Sequence, residues 1–160
     1  MITSEQAQKL SLVFIFKKVD GEYKILLGKK NKPGKPIHGR YNGLGGKCEA
    51  GENVEDCAVR EVAEEARVKI SKEQLKKVGQ ITNQNMFVDV FIYIAGEYED
   101  INPISSGEQD MQNFSWFSET DTNSLVKEGY TIQGNDSVYK GVWLNLSRLI
   151  RGEPINEFVL

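Results

Sequence analysis

The chain has 160 residues, 39% of them hydrophobic and 27% charged, with a formal net charge of −3. Those values exclude a disordered or fibrous polymer and predict one domain over residues 1–160, large enough to form a core without staples. An acidic balance provides no general field for nucleic acid or anionic membrane, so a phosphate-bearing ligand must be met by local cations or metal ions.

The opening MITSEQAQKL lacks a basic segment followed by an apolar one, so no signal peptide is expected. No apolar run is long enough to span a membrane. Leu10 to Phe16 is a nearly unbroken apolar run and reads as a buried strand. Asp20-Gly21 marks a turn, and Tyr23 to Leu27 is the hairpin partner. A loop from Lys29 to Arg40 carries five cations and two prolines; it reads equally as a solvated basic loop or as a rim that attracts phosphate. Tyr41 to Lys47 reads as a glycine-rich tight turn.

Asn53 to Arg67 reads as a helix, with Val54, Ala58, Val62 and Ala66 forming an apolar stripe at every fourth position. Cys48 and Cys57 form no CxxC, and one His cannot complete a zinc site with them. Cys57 is expected to serve packing. No disulfide framework is expected, and the cysteine usage suggests a reducing, cytoplasmic compartment. Further strands are predicted at Leu75–Thr82, Phe87–Ile94 and Phe114–Phe117. Val88, Val90, Ile92 and Ile94 share one face. Asp136 to Arg151 is the second helix, ended by Gly152 and Pro154. Strands, helix, strands, helix predict an α+β fold with helices layered on a mixed sheet.

Glu61, Glu64 and Glu65 are spaced three and four apart, within about a third of the helix circumference. Standing alone, such a cluster is a charged solvent face. Carboxylate oxygens are also the ligands that magnesium and manganese prefer, and two such ions can clamp a phosphate chain and activate water. Gly45-Gly46, Glu52 and Arg60 precede or interleave the cluster, and Arg60 can reach acidic neighbours and offset their repulsion.

This arrangement resembles Nudix hydrolases, whose motif runs Gly, five residues, Glu, seven residues, Arg-Glu, aliphatic, one residue, Glu-Glu, one residue, Gly, aliphatic. Gly46, Glu52, Arg60, Glu61, Val62, Glu64, Glu65 and Val68 match at every spacing, and Arg67 stands where the family has Gly. That family Gly ends the helix in the left-handed region. Arg67 must adopt it at a cost of about 1 kcal/mol, or the helix runs on.

The resemblance implies an α/β/α sandwich around a central mixed sheet, and magnesium-dependent (or manganese-dependent) cleavage of a diphosphate linkage. It implies that Glu61, Glu64 and Glu65 bind metal with a carbonyl of Gly45 or Gly46, and that Glu61 or Glu65 orients the attacking water. Glu52 then supports Arg60. A further carboxylate is expected from the loop before Trp116-Phe117, where Asp110 is preferred over Glu108.

Substrate choice is read from other segments. Tyr41-Asn42-Gly43-Leu44-Gly45-Gly46-Lys47 is similar to the Trp-Asn-Gly-Phe-Gly-Gly-Lys segment of Nudix enzymes that hydrolyse oxidised purine nucleoside triphosphates. On that likeness Asn42 would contact a purine edge, or it is simply a turn residue. Asp136, in Asn135-Asp136-Ser137, would read the base or else cap its helix; Gln133-Gly134 replace the family's Trp there. Lys47 and Lys29 complete the expected substrate contacts.

The reading is therefore a purine nucleoside triphosphate, in particular 8-oxo-dGTP, cut to monophosphate and pyrophosphate. The alternatives are a nucleotide sugar, a dinucleoside polyphosphate, an RNA 5′ end, or a nucleotide-sensing module that does not cut. Nucleic acid beyond an RNA end and membranes are not expected partners.

Overall fold

The computed structural model describes residues 7–105, 111–132 and 136–160. In chain order the elements are β1 (Gln8–Val19), β2 (Glu22–Lys30), β3 (Tyr41–Asn42), β4 (Leu44–Lys47), α1 (Val54–Ala66), a 3-10 turn (Lys72–Gln74) and β5 (Lys76–Asn83). They continue as β6 (Met86–Ile94), β7 (Met111–Phe117), α2 (Glu119–Lys127), α3 (Asp136–Ile150) and β8 (Phe158–Val159).

One mixed sheet runs β3-β2-β1-β6-β5-β8, with β4 added to β1 and β7 to β2. β1 is long enough to divide one edge between two partners. Its first half pairs with β4 and its second half with β2, both antiparallel, while its other edge pairs with β6 in parallel.

The unbroken apolar run of β1 follows from burial on both faces. Val13 and Ile15 face α1, joined by Leu26, Leu44, Ala58, Val62, Ala66, Phe91 and Tyr93. Leu12, Phe14 and Phe16 face α3, with Val90, Ile92, Val138, Tyr139, Val142 and Trp143. Phe14 meets Tyr139 and Phe16 meets Trp143 edge to face, at centroid distances of 5.4 and 4.9 Å. Full burial of each such side chain contributes about 1.5–3 kcal/mol. The result is the expected α/β/α sandwich, with α1 on one layer and α3 on the other.

The C-terminal segment closes the α3 side. β8 pairs with β5 in parallel, and the ring of Phe158 sits against Gly79 of β5 and Gly141 of α3, so close that a Cβ at either glycine would overlap it. No helix among the described residues is long and apolar enough to cross a membrane.

Three differences from the sequence reading have physical causes. Tyr41–Lys47 is not a turn but two short strands, because its glycines lie extended against β1 and β2. α2 falls in a stretch with few apolar residues, and a poorly helix-favouring composition hid it; the side chain of Ser118 caps it by accepting from the amide of Asp121. β7 begins at Met111 rather than Phe114. Asn113, with φ of 52°, accompanies a shift in its register with β2 that alternation does not reveal.

Candidate active site

Helix α1 is placed by its ends. Asn53 caps it, its side chain accepting from the amide of Asp56 at 2.8 Å. Arg67 ends it in the left-handed region, with φ of 56° and its amide donating to the Ala63 carbonyl at 2.9 Å. Of the two outcomes open to an Arg at that position, the chain takes the left-handed one.

The apolar stripe seats α1 on the sheet, and Glu65, one position from Ala66, is carried inward with it. Glu65 is 4% exposed, the one buried acidic residue among those described. It accepts a 2.6 Å bond from the amide of Gly45 and lies 3.9 Å from the ammonium of Lys30. The strand β4 can come this close because it has no side chains at the contact. A Cβ at Gly45 would overlap the Ser11 carbonyl, and one at Gly46 would overlap the carboxylate of Glu61.

Arg60 organises the remaining acids. Its Nε and Nη2 donate to the two oxygens of Glu52, each at 2.9 Å. Nη1 donates to Glu61 at 2.9 Å and Glu64 at 3.1 Å, and Nη2 also donates to the carbonyl of Lys47 at 3.0 Å. One guanidinium thus joins the entry loop to two carboxylates of the helix, the planar multi-donor role that lysine cannot fill. Glu52 also accepts from the amide of Glu49. The hydrogen bond from Arg60, then that amide, hold its carboxyl down at about 2. Arg60 is pushed higher still, chiefly by Glu52. Glu61 moves the other way: burial raises it, and the bond from Arg60 only partly offsets that.

Glu61, Glu64 and Glu65 therefore surround the Gly45–Gly46 strand at three depths: half-buried, exposed and buried. Arg60 bridges Glu61 and Glu64, while Glu65 is held separately by the Gly45 amide and Lys30. Among the described residues, the three ligand atoms that come within 4.8 Å of one another belong instead to Cys48, Glu52 and Cys57.

The cysteines correct the sequence reading. Cys57 is fully buried, as packing requires, but it forms a disulfide with Cys48, their Cα atoms 5.2 Å apart. The loop from Cys48 to Asn53 doubles back onto the first turn of α1 and brings together residues nine apart, a reversal that spacing alone does not announce.

The expected substrate contacts are dispersed. Asn42 is nearly buried in β3, opposite Gly28. Lys47 is exposed beside the Arg60 cluster. Lys29 stands over the ring of Tyr41 at 5.3 Å, and it is its neighbour Lys30 that reaches Glu65. The sequence reading missed Lys30; period-two alternation along β2 was the signal that only one of the two lysines could point that way. Asp136 opens α3 and is exposed in a cleft with Glu119, Lys127, Lys140 and Trp143, and Asn42 is not among the described residues lining that cleft. Asp110, Glu108, Gln133, Gly134 and Asn135 lie outside the described residues.

A family model described as the NUDIX domain matches residues 10–139. The oxidized purine nucleoside triphosphate hydrolase of Danio rerio is 35% identical over 98 residues, covering 59% of this chain and 58% of the relative, so the chain spans little more than half the length of that curated relative. Among solved structures, a C. elegans Ap4A hydrolase binary complex has a TM-score of 0.62 at 21% identity, covering 91% of this chain and 99% of the other. The NUDIX domain of Shewanella oneidensis NrtR, complexed with ADP ribose, has a TM-score of 0.66 at 13% identity, covering 88% of each chain.

Proposed function

The chain belongs to the NUDIX domain family, and from that premise we propose that it is a divalent-cation-dependent pyrophosphohydrolase acting on a purine nucleoside triphosphate, with release of monophosphate and pyrophosphate. An oxidised purine such as 8-oxo-dGTP is the leading substrate. The observation that carries this reading is the approach of Glu61 and Glu65 to the Gly45–Gly46 pair, with Glu61 and Glu64 joined by the Glu52–Arg60 pair.

The donor set fits a hard cation. Carboxylates and backbone carbonyls are the ligands Mg2+ and Mn2+ favour, and the burial that disfavours an ionised Glu61 is the kind of environment that a neighbouring cation relieves. Glu61, Glu64, Glu65 and a carbonyl of Gly45 or Gly46 would hold it, with Asp110 as a further candidate. When bound, it supplies charge neutralisation on the phosphate oxygens and activation of water.

The chain's own groups do the rest. Arg60 and Glu52 fix the carboxylates, so little reorganisation accompanies the reaction. Glu61 or Glu65, beside the cation, would orient the attacking water. Lys30, held at Glu65, and Lys47 at the rim supply positive charge to a triphosphate. Attack in line with the scissile bond then needs no covalent intermediate. Asn42 and Asp136 are proposed to read the base, a reading supported by the similarity to the Danio rerio hydrolase. A reducing, cytoplasmic setting fits a nucleotide substrate.

The test is a product-resolved hydrolysis panel with Mg2+ that compares oxidised and normal purine triphosphates, a nucleotide sugar and a dinucleoside polyphosphate by kcat/KM. Preference for an oxidised purine triphosphate, with pyrophosphate as product, is expected. Preference for another compound removes Asn42 and Asp136 from their roles and leaves the carboxylate site. Binding without turnover across the panel returns a nucleotide sensor.

A further inference from the structure

The disulfide spans the segment that orients the carboxylates. Cys48 directly follows Lys47, whose carbonyl accepts from Arg60, and Cys57 lies one helical turn before Glu61. Between the two cysteines lies Glu52, the residue that holds Arg60 by two bonds. Apart from the disulfide, the Glu52–Arg60 bonds and the Asn53 cap, the turn from Cys48 to Asn53 is tied down by a few hydrogen bonds near the surface: the Cys48 amide to Lys9, Gln8 to the Cys48 carbonyl, and the Glu49–Glu52 pair.

The sulfur of Cys57 is sealed in, lying 3.4 Å from the Ser11 hydroxyl and 3.8 Å from the Gly46 carbonyl. Cys48 is half-buried and lines an open cleft with Gln8, Lys9, Glu49, Glu52 and Asn85. The bond is therefore enclosed at Cys57, and the cleft at Cys48, whose sulfur is itself buried, is its nearer approach to solvent.

We infer that the Cys48–Cys57 disulfide is a redox latch on the catalytic loop: oxidised, it holds Glu52 and hence Arg60 in register with Glu61 and Glu64; reduced, it frees the loop and weakens the grip of the site on its cation. This rests on reading the glutamates as a cation site. A disulfide beneath a surface turn is one that a thiol reductant can reach when the turn opens locally, and such bonds in reducing compartments are commonly regulatory.

A dithiol reductant supplies the electrons. Its thiolate attacks Sγ of Cys48; the Cys48–Cys57 bond breaks as the mixed disulfide forms, and Cys57 leaves as a thiolate that takes up a proton. The second thiol then displaces Cys48, leaving two protein thiols and a cyclic disulfide. The loop is loosened rather than removed, so the effect should be smaller than the 10–100-fold usual for deleting a group that supports metal ligands, about three- to tenfold.

A metal site is the competing use of the pair. Cys48, Glu52 and Cys57 are close enough together to suggest a metal site, but both oxygens of Glu52 are already engaged by Arg60 and the Glu49 amide.

The experiment compares the full chain, oxidised and after treatment with dithiothreitol, by amide hydrogen exchange over residues 47–53 and by Mn2+ titration. Exchange in that loop should quicken at least about fivefold on reduction while β1 and β6 do not change. The Mn2+ dissociation constant should rise three- to tenfold, and reoxidation should restore both. Cys48→Ser should resemble the reduced chain and ignore reductant. The latch is overturned by two alkylatable thiols that persist after mild oxidation, by equal exchange and equal Mn2+ affinity in both states, or by a Cys48→Ser chain that still responds. Stoichiometric Zn2+ uptake by the reduced chain, lost in Cys48→Ser, also overturns it, in favour of a metal site. Absence of Mn2+ binding in either state overturns the cation reading itself; the exchange data, which need no cation, tell that failure apart from failure of the latch.

Discussion

The acidic cluster on α1 and the residues expected to contact the substrate differ in how tightly they are held. On the side facing α1, each acidic group has a named partner: Glu65 has Gly45, and Glu52, Glu61 and Glu64 share Arg60. Away from α1, Lys29 rests on Tyr41, and Asp136 is exposed in an open cleft between α2 and α3. The first region has the rigidity that charge stabilisation in a reaction requires, and the second has the latitude that accommodates different ligands. On the proposed function, the chemistry and the choice of substrate reside in separately constrained parts of one fold.

The sharpest break of that contrast is at the rigid end. Glu64→Gln or Glu65→Gln removes charge at nearly constant shape, and turnover should fall by roughly two to four orders of magnitude while the folded state persists. Circular dichroism beside steady-state rates checks this, and near-wild-type rates in both variants would sink the assigned site.

Next comes Arg60→Lys, which keeps the charge and loses the fork. It should lower kcat/KM by about 10–100-fold and raise the Mg2+ concentration for half-maximal rate, since Glu61 and Glu64 lose their common support. An unchanged Mg2+ dependence would place Arg60 outside the site.

The open end should respond in ranking rather than in rate. Asn42→Ala or Asp136→Asn should change the preference between oxidised and normal purine triphosphates by about tenfold, with Mg2+ dependence unaltered. If both leave the ranking intact, the base is read elsewhere.

Two smaller effects concern stability. Arg67→Gly relieves a left-handed backbone and should stabilise the chain by about 1 kcal/mol without raising turnover, as thermal melts and rates together would show. Glu52 supplies a pH test. Its carboxyl is held below its ordinary value, so its contribution is fully present above about 4.5 and is lost as pH falls toward 2. The stability difference between wild type and Glu52→Gln should therefore shrink across that window and be flat above it. A difference that peaks below pH 3 would contradict the Arg60 pairing.

The sequence displayed α1 to within a residue at each end, because stripe and acidic face agree there: the expected Asn53–Arg67 is a helix over Val54–Ala66, with those two residues as its caps. β1 and β6 were legible from apolar runs and alternation. α2 was not, since Leu125 and Val126 are too few to set a period. The inward turn of Glu65 was hidden because periodicity assigns a carboxylate to solvent unless a partner is known, and that partner is a backbone amide. The Cys48–Cys57 pairing and the role of Lys30 depend on how loops fold back, which local pattern does not encode.

Phe158 illustrates a different kind of constraint. Its ring fills the space over Gly79 and Gly141, two residues from a strand and a helix that are 62 positions apart in the chain. Any side chain at either glycine requires a smaller residue at 158, and a smaller residue at 158 leaves a void unless one glycine gains a methyl. The three positions should accordingly drift as a set among descendants of this sequence, and an alignment column for any one of them carries information about the other two.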